Sequence, residues 1–570
     1  MNMTYPKRFL LGAATAAHQV EGNNKNSDYW AMERMEYTSF NEPSGDACDH
    51  YNRYEEDIGL LAKAGLNAYR FSIEWARIEP QPGVFDDAEI EHYRKVLECC
   101  HANGIEPIVT MHHFTSPKWL IEQGGWEAEE IADKFAAYCK YVVERLGSLM
   151  RYVCTINEAN MGLQIAAISK RYLEMMQSNQ SAEGNVQVGI NLENPFMERM
   201  KKQAEENLSV FGTPQPQIFV GQRTEQGDRL VMRAHQAAKT AMKSVNPGLQ
   251  IGITLSLHDI QAQPGGEAEA EREWNEEFLH YLPYIQDDDF FGLQNYTRTL
   301  MGSEGSLPVP DGAETTQMGY EFYPQALGNV LRTVYKSLPI PIIVTENGVA
   351  TDDDSRRVTF IQGALTGVKE CLSEGIPVIG YCYWSLLDNF EWQKGYSMTF
   401  GLIEVDRKTQ ARAPKPSLRF LGSYLVDDVD LQVPDLSKYQ GGHIMLGRNP
   451  ILPLQCHIPD GEAHVMTDGK VYLYGSFDKA ADSFSSEEYM VAFSEDMRNW
   501  TVTEHPAFTV KDVAWAEGSV SKVHSALSSV KSFDDLPAHI REMLPDSAKQ
   551  VPIKQIVAAI EQQAEAGLPK

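Results

Sequence analysis

A chain of 570 residues, 43% hydrophobic and 23% charged, has ordinary globular composition and is long enough for a large barrel plus an appendage. Its formal net charge of −29 would repel a nucleic-acid backbone or an anionic lipid surface, so neither is expected as a partner. No apolar run of about 18 residues offers a membrane span, and eight cysteines without CxxC or zinc-like spacing read as free thiols in a reducing, cytoplasmic compartment.

The chain opens on a decoy. Lys7 and Arg8 precede a short apolar run that resembles a signal peptide, but the run is too brief and reads better as a first strand. Apolar strand-like runs then recur at residues 9–17, 68–75, 107–114, 152–157, 250–257, 290–296, 340–345 and 378–386. Segments with apolar residues at three-and-four spacing lie between them, at 54–64, 89–102, 128–147, 228–244 and 356–374. Eight strands alternating with helices predict an α/β fold, a (β/α)₈ barrel with its chemistry at the carboxyl ends of the strands. A doubly wound sheet is the alternative, but no glycine-rich phosphate loop follows an early strand.

The spacing is uneven. A long polar stretch follows the fourth strand, from Asn160 to about Gln226, and a long loop in such a barrel shapes the site entrance. The fifth-to-sixth connection, 259–289, is short and acidic. The barrel is expected to span 1–426, followed by an acidic Gly/Pro-bearing linker at 427–443. Residues 444–517 predict a small β-rich extension of short alternating strands, including an Asp-Gly turn at Asp468-Gly469, and 518–570 a helical tail.

Among 79 acidic residues, position must identify the functional ones. Glu158 ends a strand in Thr155-Ile156-Asn157-Glu158, and Glu346 ends another in Thr345-Glu346-Asn347-Gly348. A lone strand-end Glu is usually a salt-bridged rim residue. Two of them on strands four and seven, each in a polar quartet, point instead to paired carboxyl chemistry.

These motifs resemble glycoside hydrolase family 1, the β-glucosidase and β-galactosidase family, over roughly residues 5–426. The likeness is carried in order by Phe9-Leu10-Leu11-Gly12-Ala13-Ala14-Thr15-Ala16-Ala17-His18-Gln19-Val20-Glu21-Gly22, Tyr69-Arg70-Phe71-Ser72-Ile73-Glu74-Trp75, Thr110-Met111-His112-His113-Phe114, Asn295-Tyr296 and Trp384-Ser385-Leu386-Leu387-Asp388-Asn389-Phe390-Glu391-Trp392, together with the two Glu motifs. The resemblance implies a TIM barrel and a retaining β-glycosidase of β-glucosidase type, with galactosyl or fucosyl residues as alternative substrates. Glu346 would be the nucleophile and Glu158 the acid/base, with Arg70 and Asn295 supporting and Tyr296 beside the nucleophile. Gln19, His113, Asn157, Tyr296, Trp384, Glu391 and Trp392 would bind the sugar; of the His doublet only one can enter the site, and family spacing favours His113. Glu391 stands where the family's 6-phospho-glycosidases carry Ser, which favours an unphosphorylated sugar. No metal or cofactor is implied. The usual Asn-Glu-Pro is here Asn157-Glu158-Ala159, which is expected to loosen the backbone after the acid/base.

The segments Asn449-Pro450-Ile451-Leu452-Pro453, Asp460-Gly461-Glu462-Ala463-His464-Val465 and Val471-Tyr472-Leu473-Tyr474-Gly475-Ser476 resemble the opening blade of glycoside hydrolase family 43, with Asp460 where its general base would lie and Trp500 and Trp515 extending the likeness. One blade leaves sheet edges unpaired, so the extension reads as a remnant packed on the barrel or on a partner, a candidate surface for homo-oligomers. The expected partners are small β-glycosides or short oligosaccharides. A catalytically dead sugar-binding barrel, or arabinofuranosidase or xylosidase action by the extension, are the competing readings.

Overall fold

The computed structural model describes residues 9–166 and 197–427, with short segments between 462 and 557. The chain divides into two compact units, Met1–Leu446 and Gly447–Lys570.

In the first unit the described strands are β1 Leu10–Ala14, β2 Ala68–Ser72, β3 Glu106–His112, β4 Tyr152–Ile156, β5 Gln250–Gly252, β6 Thr254–Ser256, β7 Asp259–Ala262, β8 Phe291–Gln294, β9 Arg298–Gly302, β10 Gly305–Ser306, β11 Ile342–Asn347, β12 Val378–Trp384, β13 Ile403–Val405 and β14 Arg412–Pro414. Nine of these form one sheet in the order β5-β4-β3-β2-β1-β12-β11-β8-β6, every neighbouring pair parallel. The two ends of that order, β5 and β6, are separated only by Ile253, so they are halves of one kinked strand and the sheet closes as an eight-stranded barrel. The expected fifth strand is therefore present but broken, with its first half on β4 and its second on β8.

Parallel barrel strands are covered on both faces, which explains why the sequence shows continuous apolar runs rather than alternation; every residue of β1, β2, β11 and β12 is buried. The first strand stops at Ala14, short of the expected 17. There Thr15 N–H reaches the Arg70 carbonyl and Ala17 N–H the Ser72 hydroxyl, and the chain turns into a short helix, Ala17–Val20. The outer helices include α1 His50–Lys63, α2 Asp87–Ala102, α3 Ile131–Leu146, α4 Met197–Phe211, α5 Glu225–Val245, α6 Glu267–Glu277, α7 Ala326–Ser337, α8 Asp354–Ser373 and α9 Pro416–Asp427. Side-chain caps fix several starts: Asp86 accepts from the Ala88 and Glu89 N–H groups, Thr224 from Gly227 and Asp353 from Ser355. The fifth-to-sixth connection holds β7 and α6, and β7 joins β9 and β10 in a three-stranded sheet.

The seven described cysteines are free thiols, and no described helix is long and apolar enough to cross a membrane. In the second unit, strands Glu462–Val465, Val471–Ser476, Glu488–Ser494, Thr501–Val502 and Phe508–Thr509 form one antiparallel sheet. Asp460, Trp500, Trp515 and all of the expected 427–443 linker but Asp427, which ends α9, lie outside the described residues, as does most of the expected helical tail.

Closure at the kinked strand depends on Gly252. A Cβ there would sit 2.2 Å from the Phe290 carbonyl oxygen. Gly252→Ala must push the two strand ends apart, an overpacking cost of about 1–3 kcal/mol. Its thermal unfolding midpoint, read by scanning calorimetry, should fall below that of the wild type; an unchanged midpoint would mean that the seam is free to shift.

Candidate active site

All eight barrel strands run the same way, so their carboxyl ends meet at one rim. Arg70, in the middle of β2, is fully buried inside the barrel. Its guanidinium reaches three other strands: Nε donates to the Thr110 hydroxyl at 3.1 Å on β3, Nη2 to Asn157 Oδ1 just past β4, and Nη1 to Glu346 Oε1 at 2.6 Å on β11. Glu346 takes two more hydrogen bonds, from the Tyr296 hydroxyl to Oε2 at 2.5 Å and from the Gln294 amide to Oε1 at 2.9 Å. Burial, the largest influence, leaves its carboxyl above the ordinary range, while the Arg70 charge and the hydrogen bonds from Tyr296 and Arg70 pull it back toward the carboxylate.

Glu158 is 2% exposed and follows Asn157 at the same rim. Burial pushes its carboxyl well above the usual range, and the Glu346 charge pushes it the same way; Arg70 and the Ser256 hydroxyl oppose them. Its Oε2 has no protein partner among the described residues. Two nearby carboxyls thus sit in opposed environments, one braced by a cation and two neutral donors, the other buried beside a like charge. Of the two, Glu158 has the stronger hold on a proton, since the Glu346 charge adds to its burial.

The backbone at Glu158 is left-handed, with φ +44°. It is held by Glu158 N–H on the Thr254 hydroxyl at 3.0 Å and Ala159 N–H on the Thr254 carbonyl at 3.1 Å. The looseness expected of Ala159 is offset by a contact that proline could not make. Alanine supplies an N–H that proline lacks, and that N–H is bonded to β6.

The other expected residues converge on the same rim. His113 Nε2 lies 3.9 Å from Glu346 Oε1, and its ring stacks near Trp384 and Trp392 with centroids 5.6 and 6.0 Å away. Burial and the Arg70 charge hold His113 well below its ordinary pKa, so the ring is neutral. His112 turns the other way, bonded to the Ser116 hydroxyl and packed on Trp126 and Phe219. The Gln19 amide donates to the Phe390 carbonyl at 2.7 Å and to Glu391 Oε2 at 3.2 Å. Gln19 Oε1, His113 Nδ1 and Asn157 Nδ2 are buried without a protein partner among the described residues. Three such atoms, with Glu158 Oε2, in one aromatic-walled site form a set of hydrogen-bonding positions suited to a polyhydroxylated ligand.

Asn295 serves the frame. Its amide donates to the Leu257 and Thr297 carbonyls, and its backbone N–H to the Glu346 carbonyl. Gln294, absent from the expected set, takes the place beside the acids, donating to both Asn157 and Glu346. Strand alternation held the signal, since 294 shares a face with Tyr296 and 295 does not. Thr254 and Ser256, both on β6, and Tyr320, fully buried near Glu391 and Tyr296, also join the site without a sequence motif to mark them.

The profile of Glycosyl hydrolase family 1 matches residues 1–183 and 286–427. Beta-glucosidase A of Thermotoga maritima is 30% identical over 471 residues, 72% of this chain and 96% of that protein. The 6-phospho-beta-galactosidase of Lacticaseibacillus casei is 29% identical, covering 74% and 98%. Among solved structures, beta-glycosidase BGL167 superimposes with a TM-score of 0.65 at 44% identity, over 74% of this chain and 97% of that one. The barrel, its strand-end carboxyl pair and this extent of likeness place the chain in glycosyl hydrolase family 1, as an O-glycosyl hydrolase.

Proposed function

We propose that the barrel hydrolyses terminal, unphosphorylated β-glucosides by double displacement, with Glu346 as nucleophile and Glu158 as acid and then base. The observation that carries this reading is the opposed setting of the two carboxyls. Glu346, ionised against Arg70 and Tyr296, attacks the anomeric carbon while protonated Glu158 gives its proton to the departing oxygen. Esterification of Glu346 removes the charge that raised Glu158, which becomes a stronger acid. Deprotonated, it takes a proton from the water that releases the sugar.

Gln19, His113, Asn157 and Glu391 bind the hydroxyls in this reading, and Trp384 and Trp392 face the ring. The β-glucosidase relatives support glucose, with galactose and fucose as alternatives of the same chemistry. The phospho-galactosidase relative raises a second possibility, which Glu391 opposes: a buried carboxylate bonded to Gln19 repels a phosphorylated sugar. For the rest of the chain we read 1–426 as the catalytic barrel, 427–443 as linker, 444–517 as a remnant of a family 43 blade and 518–570 as a helical tail. The antiparallel sheet of the second unit supports the blade reading, self-association through this extension is part of the proposal, and the free thiols of the seven described cysteines support a cytoplasmic setting.

Glu346→Gly should abolish hydrolysis of aryl β-glucosides, and added azide should restore turnover with α-glucosyl azide as product; a β-azide would reverse the two roles. Glu158→Ala should lose far more activity on poor leaving groups than on activated ones, and equal losses would argue against an acid role. Tyr296→Phe removes a donor that favours ionised Glu346, so the acid limb of kcat/KM moves to higher pH. Its kcat/KM at neutral pH should drop roughly 10- to 100-fold, the worth of a hydrogen bond to a charged group; an acid limb left in place would detach Tyr296 from Glu346. Aryl 6-phospho-β-glucosides should be poor substrates beside the plain glucoside, a ranking that the opposite result in a substrate panel would overturn.

A further inference from the structure

Resting on the reading of Glu158 as acid/base, we propose that Arg223 is a positioning residue for it, clamping the backbone that aims the carboxyl. A left-handed φ at a non-glycine residue costs free energy and persists only where surrounding contacts hold it. On the β6 side Thr254 takes the N–H groups of residues 158 and 159. The other side of the turn is held by Arg223. Its Nη1 donates to the Ala159 carbonyl at 2.6 Å, Nη2 to the Phe219 carbonyl at 3.0 Å, and its own N–H to the Gly162 carbonyl at 3.3 Å.

Arg223 is 6% exposed, and a buried cation spent on backbone carbonyls needs a reason. The Asp228 carboxylate, in the first turn of α5, stands 3.7 Å from Nη1 and is itself held by the Tyr281 hydroxyl at 2.9 Å. The fit is close enough to exclude a side chain at 162, where a Cβ would lie 2.6 Å from the Arg223 Nε. The largest electrostatic influences on the Glu158 carboxyl come from Glu346 and Arg70. Arg223 therefore acts through geometry: it ties α5 to the turn, and the turn fixes where the carboxyl points. Misplacement of a catalytic group by about 1 Å can cost 100-fold.

The test compares Arg223→Met with the wild type on phenyl and 2,4-dinitrophenyl β-glucosides, the second of which leaves without protonation. Phenyl glucoside kcat/KM should fall roughly 10- to 100-fold and the dinitrophenyl value by less than about 3-fold. Azide should accelerate turnover of the dinitrophenyl substrate and yield β-glucosyl azide, because the general base is misaimed. Arg223→Lys, which keeps the cation and a donor for Ala159, should restore most of the wild-type ratio between the substrates. If Arg223→Met does not fold, Gly162→Ala displaces the guanidinium without deleting it and should give the same ratio. Proportional losses on both substrates with no azide response, in whichever variant folds, would overturn the proposal, since an anchor serving only stability scales all substrates alike. Glu158→Ala run alongside separates the two claims. If it discriminates between leaving groups and the Arg223 variants do not, only the positioning role falls; if it does not discriminate, the acid/base assignment itself fails.

Discussion

Everything at the rim depends on a guanidinium buried inside the barrel. An unpaired charge there would cost several kcal/mol, so the fold around Arg70 is stable only with its partners in place, and these come from different strands: Thr110 on β3, Asn157 after β4, Glu346 on β11. The same contacts that neutralise Arg70 therefore tie four strands together and favour the ionised form of Glu346 over that of Glu158. Structure and chemistry are not separable at this point. In the proposed glycosyl-enzyme, Glu346 is an ester and Arg70 is left with neutral partners only. The low-dielectric interior makes that state costly, which favours hydrolysis of the intermediate and return of the carboxylate.

Glu158 has the complementary setting. It shares the burial of Glu346, and the largest charge effect on it comes from the Glu346 carboxylate, only partly opposed by Arg70. Where Glu346 is fixed by several side chains, Glu158 takes one such contact, from the Ser256 hydroxyl, and is otherwise fixed through its backbone: Thr254 on one side of the turn, Arg223 on the other. This division has a physical reason. A nucleophile must stay charged and needs charged and strong neutral donors on its carboxylate, whereas an acid must keep its proton and would lose it to the same donors. Holding the main chain orients the acid without touching its carboxyl.

The barrel was legible because both faces of each strand are buried, which writes an uninterrupted apolar run into the chain, and every expected run is occupied by a strand. Its ends were less so. The first strand stops three residues early, because hydrogen bonds to Arg70 and Ser72 turn the chain, and the kink at Ile253 arises from pairing with two different neighbours that no local pattern records. Among the site residues, those that lie in polar strand-end motifs were readable, and the structure brings Gln19, Arg70, His113, Asn157, Tyr296, Trp384, Glu391 and Trp392 to the rim with the two acids. Gln294 was hidden by its bolder neighbours Asn295 and Tyr296. Thr254 and Ser256 were hidden because short hydroxyl side chains on a strand are ordinary anywhere.

Arg223 illustrates the harder limit. It stands 64 residues from the carbonyl that it holds, in a stretch with no repeated or strand-end pattern, and its partners are main-chain atoms. Backbone carbonyls exist at every position, so nothing in the sequence marks 159 as the recipient. Only Gly162 leaves a trace, a residue chosen for what it lacks, and a single glycine in a polar stretch has many explanations. The alanine at 159 reads differently once this is seen. Proline would stiffen the turn by fixing φ but could give nothing to Thr254. Alanine gives up that stiffness and gains a hydrogen bond, so the rigidity of the turn passes from a ring within the chain to contacts made across it, from β6 and from the start of α5. The aim of Glu158 is thereby tied to contacts made by Arg223 at the far end of the stretch that follows the fourth strand.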